Sequence, residues 1–445
     1  MKTNDNGQEN GFRWGTIFRS LGYRNYRLFF TGQSVSLIGT WMQRVAIPWL
    51  VYSMSGSPVL LGVVSFAGQV PTFLLAPVAG VLVDRWDRYR VLIATQVLAM
   101  LQAAALACLY YLGTIQVWEI VSLAAVLGVI NAFDMPARQA LVVDLVEKRQ
   151  NLGNAIALNS SMVNSARLLG PSLAGALIAS VGEGVCFVVN AISFLCVIVS
   201  LLLMKLPRTR AASRERSLLK GLRGGLAYAF GFPPVRAIIL LLGVISLTGM
   251  PYMVLMPVFA KSVLGGGPYT FGLLMAASGV GALTGALWLA SRKSVLGLGR
   301  LIPRAAGLFG SSLVAFSFSR SFPLSLGLIF LAGLGMMVQM ASGNTIIQTL
   351  VDDDKRGRVM SLYMMAFVGT APFGSLAAGA LADAVGAPAT LALGGSACVL
   401  GALVFLRRLP ALRRHVRPVY VRLGIIPEVA SGIQASSECM IPPER

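Results

Sequence analysis

Apolar and polar positions alternate along this chain on a scale of twenty to thirty residues. Apolar runs lie near 28–52, 59–83, 91–112, 118–137, 155–180 and 185–204, and again near 237–260, 270–291, 301–319, 323–347, 358–384 and 388–406. A run of about eighteen or more apolar residues is long enough to cross a hydrocarbon layer of about 30 Å as a helix, and a helix leaves few backbone groups unpaired in lipid. The pattern therefore predicts an all-α membrane protein with twelve transmembrane helices. A polar linker over 205–236 separates a six-helix bundle at 28–204 from a second at 237–406. A segment at 1–27 precedes them, and a tail at 407–445 follows, in which basic residues Arg407 to Arg417 lead into weakly structured chain.

The turns alternate in charge. Ser53 to Pro58 is uncharged, whereas the turn at 84–90 carries Arg85, Arg88 and Arg90 beside Asp84 and Asp87. By the positive-inside rule the basic turns are cytoplasmic, and with an even number of spans so are both termini. Composition agrees: 56% of the 445 residues are hydrophobic and 12% are charged, which is outside the soluble globular range. The net charge of +20 invites a nucleic-acid reading, but position decides against it. Of the 37 Lys and Arg, Arg44 and Arg167 lie within spans and Lys261 and Arg320 at outer ends, and the other 33 fall in the termini, the basic turns or the span ends next to them. The partners expected of such loops are anionic lipid headgroups, not nucleic acid. The start lacks an apolar signal core, so the first span is expected to direct insertion.

An internal repeat gives the same architecture. Leu173-Ala-Gly175-Ala-Leu177 recurs as Ala377-Ala-Gly379-Ala-Leu381, displaced by 204 residues, and Ser36, Gly39, Pro58 and Gly62 match Ser246, Gly249, Pro268 and Gly272 at a displacement of 210. Two related halves are implied.

Polar groups inside a span are costly, about 2.5 to 3.5 kcal/mol for Arg or Asp at a helix centre. Arg167 is the clearest case. Counting about 1.5 Å per residue from Ala155 puts it roughly 18 Å into the layer, near the midplane. Ser160, Asn164 and Arg167 share one helical face. That face is expected to line an aqueous cavity where Arg167 attracts an anionic group, or else to pair with a neighbouring helix. On the first span Gln33, Ser36, Thr40 and Arg44 form a similar stripe with Gln43 adjacent, and Arg44 either faces the cavity or snorkels to the outer boundary. Asn131, Asp134 and Arg138 are three and four apart on the fourth span. Asp134 is the candidate proton carrier, a role that requires burial to raise a carboxylate several units above about 3.9; the competing reading is a fixed ion pair with Arg138 or with Asp84 and Arg85. Glu119 and Asp383 read as boundary charges. Methionines at 250, 253 and 256, at 336, 337 and 340, and at 360, 364 and 365 suit an adaptable apolar cavity or plain gap-filling. Four of five cysteines lie in apolar spans, without metal spacing or an outer disulfide pair. Neither a metal nor a cofactor is expected. The single histidine, His415, is in the tail, and no nucleophile–base pairing points to an enzyme.

The stretch Gly80-x-x-x-Asp84-Arg85-x-x-Arg88-x-Arg90 resembles the signature loop between the second and third helices of the major facilitator superfamily. That resemblance implies that Gly80 lets two helices approach closely and that Asp84 sits against the positive end of a neighbouring helix, closing a cytoplasmic gate in one state. In the second half Leu289 stands where Asp84 does in the first. Gly170, Pro171 and Gly175 resemble the Gly-Pro antiporter motif of drug exporters, with Ala166 and Ala174 where glycine is usual; helix packing alone also accounts for them. Gly39-Thr-Trp-Met-Gln43, Asp134-Met-Pro-Ala-Arg-Gln-Ala140, Asn154-Ala-Ile-Ala-Leu-Asn-Ser160 and Arg167-Leu-Leu-Gly-Pro171 resemble the enterobactin-exporter-like branch, the transmembrane secretion effectors. Membership implies a monomeric exporter of siderophores or amphipathic drugs in the bacterial inner membrane, driven by protons. The alternatives are an uptake carrier for an organic anion and a non-transporting receptor or scaffold.

Overall fold

The computed structural model describes residues 19–145, 151–204, 227–292 and 294–425. Most of the expected linker and the last twenty residues lie outside that set. Among the described residues the chain is built from helices, and twelve long helical segments follow one another. They are α1 (Arg24–Ser55), α2 (Pro58–Arg85), α3 (Arg88–Tyr111), α4 (Val117–Asp144), α5 (Leu152–Val181) and α6 (Gly184–Leu202). After the linker come α7 (Pro233–Val263), α8 (Pro268–Ala290), α9 (Leu298–Phe318), α10 (Phe322–Leu350), α11 (Asp353–Met364 continuing through Ala371–Val385) and α12 (Ala387–Arg422). Ten are long and apolar enough to cross a membrane; α1 and α5 are not among them. Those two have the length, at 32 and 30 residues, but carry the polar stripes that include Arg44 and Arg167.

By contact density the chain falls into two units, and α1 and α2 are shared between them. One unit holds the chain up to Ile47 and from Leu74 to the linker; the other holds Pro48–Phe73 and everything after the linker. In the first, α3 packs on α4 and α6. The basic end of this unit is closed by a cluster including Tyr26, Phe29, Leu92, Leu141 and Leu201, and side chains fasten it to helix ends. The Tyr26 hydroxyl donates to the Ala155 carbonyl at 2.9 Å, and that of Tyr89 to Leu201 at 2.8 Å.

In the second unit the closest pairs are α8 with α10, α9 with α10 and α9 with α12. α7 is interrupted by π turns at Ile245–Gly249 and Phe259–Val263, and α11 by one at Met365–Gly369. The Ser246 hydroxyl donates to the Phe367 carbonyl and so ties two of these turns together. The methionines are divided: Met256 and Met336 are buried, whereas Met364 and Met365 are exposed. The hairpin at Pro48–Phe73 is seated on the same unit, with Trp49 stacked on Phe271 at 5.9 Å and Tyr52 hydrogen-bonded to Ser262 at 2.7 Å. Its crossing with α11 depends on small residues. A Cβ at Gly62 would stand 2.7 Å from the Ser375 carbonyl oxygen, and one at Gly379 2.7 Å from that of Pro58. Close backbone approach of this kind is how helices gain contact where water exclusion supplies no drive.

Two ends differ from the sequence expectation. α7 starts at Pro233, inside the expected linker, because proline suits the first helical turn and Val235 is fully buried. α12 runs 36 residues, through the basic segment expected to lead out of structure. Leu409, Leu412 and Tyr420 give that extension a buried apolar stripe, and such a stripe outweighs the charges on its other face.

Gly379→Val is expected to cost about 1–3 kcal/mol through overpacking at the crossing. Gly243→Ala, where a Cβ meets nothing within 4 Å inside a helix, is expected to stabilise by about 0.5–1 kcal/mol. Melting of the purified variants in detergent checks both.

Candidate functional site

The polar stripe of α1 serves two purposes. Gln33, Ser36 and Gln43 are buried, whereas Thr40 is half-buried and Arg44 exposed. Gln43 was expected in the cavity and is instead the centre of a clasp. Its Nε2 donates to Gln102 Oε1 on α3 at 3.0 Å, its Oε1 accepts from Asn190 Nδ2 on α6 at 2.8 Å, and Gln102 donates onward to the Leu123 carbonyl on α4 at 3.3 Å. Amides that enter a hydrocarbon-spanning bundle pair with one another because nothing else there hydrogen-bonds.

Two residues back, Trp41 gathers the cations. The Arg44 guanidinium lies 5.0 Å and that of Arg167 5.8 Å from the indole centroid, within range of a cation–π contact worth about 0.5–2 kcal/mol. Gly170 makes this meeting possible. A Cβ there would collide with Trp41 and stand 3.2 Å from the Ile38 carbonyl oxygen, so α5 crosses α1 closely and Arg167, one turn earlier, reaches the ring. Pro171 sits within α5 without ending it, and Gly175 is buried. Ser160 is exposed, and Asn164 donates to the Ser160 carbonyl of its own helix at 2.9 Å. Arg44 and Arg167 therefore share one ring.

Arg138 has a carboxylate of its own. Asp134 is the single buried carboxylate among the described side chains. It is ion-paired with Arg138 one turn later and also accepts from Thr95 Oγ1 at 3.1 Å and Gln96 Nε2 at 2.6 Å on α3. Of the sequence alternatives for Asp134 as an ion pair, the geometry gives Arg138 rather than the loop at Asp84. Asn131, one turn before, is half-buried.

Several charges of the loop are paired within it. Asp87 caps α3 by accepting from the Tyr89 and Arg90 amides at 3.0 and 3.3 Å, and also pairs with Arg90 at 3.6 Å. Asp84 pairs with Arg88 at 3.5 Å, and Arg85 is exposed. Two expectations are not met among the described residues. A Cβ at Gly80 would meet nothing within 4 Å there, and the Asp84 side chain, 68% exposed, engages Arg88. Trp86, stacked on Phe133 at 6.3 Å, holds the loop against α4.

The sequence reading missed Thr95, Gln96, Gln102 and Asn190. All four are polar residues inside apolar runs, so the signal was present, but their spacing within one helix does not name partners on another. In the second unit Gln339 and Ser342, one turn apart on α10 and fully buried, find no hydrogen-bond partner for their side chains among the described residues.

The family profile described as transmembrane secretion effector matches residues 16–419. The chain is 28% identical over 380 residues to the staphyloferrin A transporter of Staphylococcus aureus, covering 85% of this chain and 95% of that protein. It is also 28% identical over 384 residues to the multidrug efflux pump Tap of Mycolicibacterium fortuitum, covering 84% and 93%. Among solved structures, a bacterial homologue of the iron transporter ferroportin in an inward-facing state aligns with a TM-score of 0.67 at 19% identity, covering 87% of this chain and 98% of that one. At that identity the likeness establishes the fold.

Arg138→Gln is expected to destabilise more than Asp134→Asn. The first strands a carboxylate that is 3% exposed, at a cost of about 3–5 kcal/mol, whereas the second leaves an arginine that is 25% exposed and can turn toward water. Thermal melting of the two variants in the same detergent gives the order.

Proposed function

Since the chain belongs to the transmembrane secretion effector family of major facilitator transporters, we propose that it is a proton-coupled exporter of an anionic, amphipathic small molecule, a siderophore or drug-like compound, in the bacterial inner membrane. That it is a multi-pass membrane transporter of small molecules follows from the family and its relatives. In our reading it works as a monomer with both termini cytoplasmic, and its halves, 28–204 and 237–406, open alternately to the two sides by twelve-span rocking. The pair of guanidiniums on Trp41 carries the proposal. An aromatic face flanked by Arg44 and Arg167 suits a ligand that combines a carboxylate or phenolate with an apolar body, because arginine stays charged and forks onto planar anions.

Asp134 supplies the coupling. While it is ionised it holds Arg138, and Arg44 and Arg167 alone receive the substrate anion. After release, movement of Arg138 away from Asp134 leaves the buried carboxylate without its cation, so that it takes up a proton and lets the empty carrier return, and substrate and proton travel in opposite directions. The charge arithmetic also favours a second reading. Protonation would free Arg138 to join the other two cations, so a carrier whose ligand engages Arg138 would take up an organic anion together with a proton.

Flux in vesicles of known orientation separates the two. Comparing exported metabolites and drug tolerance in cells with and without the protein, in iron-replete and iron-poor medium, identifies the compound to use. Arg167→Gln is expected to lower flux at least tenfold at equal protein level, the equivalent of about 1.4 kcal/mol. Asp134→Asn is expected to keep substrate exchange while losing its response to an imposed pH gradient. An unchanged pH response removes Asp134 from the coupling, and inward flux with the proton replaces the first reading by the second.

A further inference from the structure

The extension of α12 beyond the apolar span shapes a cavity of about 500 Å³ against the start of α7, the turn before α9 and the end of α10. Its two faces have different chemistry. The floor is apolar, formed by Ile238, Ile346, Phe405, Leu409 and Leu412 with Tyr420 at one end. The rim carries Arg300, Arg413, Arg414 and Arg417, all exposed, and the lining includes no carboxylate. Asp352, the acid that meets this end of α12, is engaged by Arg422 at 3.2 Å and Lys355 at 3.9 Å. The four rim arginines pair with no carboxylate among the described residues.

We propose that this cavity binds an anionic phospholipid, its phosphate on the rim arginines and an acyl chain along the floor. The order of the chemistry carries the assignment. Ile238, Ile346 and Phe405 belong to helices apolar enough to cross a membrane, so the floor leads from the span toward the end where the cations gather. A phospholipid has the same sequence of apolar body and charged head. Arginine suits the head, because its fork binds two phosphate oxygens at once, and basic pockets between spanning helices are where anionic headgroups lodge. A free phosphate ion would use the rim and leave the floor empty. The inference is independent of the transport reading.

Native mass spectrometry of the full chain in detergent tests it, with phosphatidylglycerol, phosphatidylcholine and inorganic phosphate as probes. The wild type is expected to retain phosphatidylglycerol at least fivefold over phosphatidylcholine, in the presence of millimolar phosphate. Arg413→Gln with Arg417→Gln is expected to abolish the preference, and Arg413→Lys with Arg417→Lys to keep most of it. Leu409→Trp, which fills the floor and leaves every cation in place, is expected to lower retention as well. Equal retention of both lipids, or a preference untouched by the glutamine pair and by the tryptophan, overturns the proposal. So does displacement of the lipid by inorganic phosphate, and so does lipid bound only after removal of residues 426–445, which would make the tail the occupant.

Discussion

A hydrocarbon layer offers no hydrogen-bond partner, so every polar group that a span carries must find one in another helix or in a water-filled space. Much of the first unit of this transporter is arranged by that constraint, with Gln33 Oε1 and Ser36 Oγ left buried without a partner among the described residues. Gln43, Gln102 and Asn190 satisfy one another across three helices, and Asp134 is held by α3 on one side and Arg138 on the other. With those groups paired, Arg44 and Arg167 remain as cations beside an aromatic ring, with no ion pair to a carboxylate among the described residues. The proposed anionic substrate would answer that charge.

Packing and electrostatics meet at α1. Gly170 lets α5 lie against it, which sets Arg167 beside Trp41; the same helix turns Gln43 the other way into the core. A single change at Trp41 or Gly170 therefore acts on both the crossing and the cation cluster. The second unit meets the constraint only in part, since Gln339 and Ser342 find no partner among the described residues. Its π turns in α7 and α11 loosen the regular backbone ladder, and Ser246 answers one of the carbonyls so released. Such turns are common where a helix must bend or serve a site.

Much of this was legible in the sequence, and the failures share a cause. Lengths of apolar runs and the placement of cations gave the helical membrane class, and the motif residues gave the family. The stripe Gln33, Ser36, Thr40, Arg44 was read as one face toward water, yet helical spacing cannot tell a wet cavity from a neighbouring amide. Gln43 fell on the wrong side of that distinction, and Gln102 and Asn190, its partners 59 and 147 residues away, could not be joined to it from spacing alone. Gly80 was given a neighbour that the fold does not bring to it among the described residues. The charge of Arg407 to Arg417 places the end of the last span near 406, whereas the buried Leu409 and Leu412 carry the helix on to Arg422.

The central claim is that the face of α5 bearing Arg167 borders water made electropositive by Arg44 and Arg167. Replacing the five native cysteines and introducing Asn164→Cys allows its modification rates by anionic and cationic thiol reagents of equal size to be compared. The account predicts that the anionic reagent reacts at least several-fold faster and that Arg167→Gln removes the preference. A thiol that stays inert, or that reacts equally with both reagents, would contradict it.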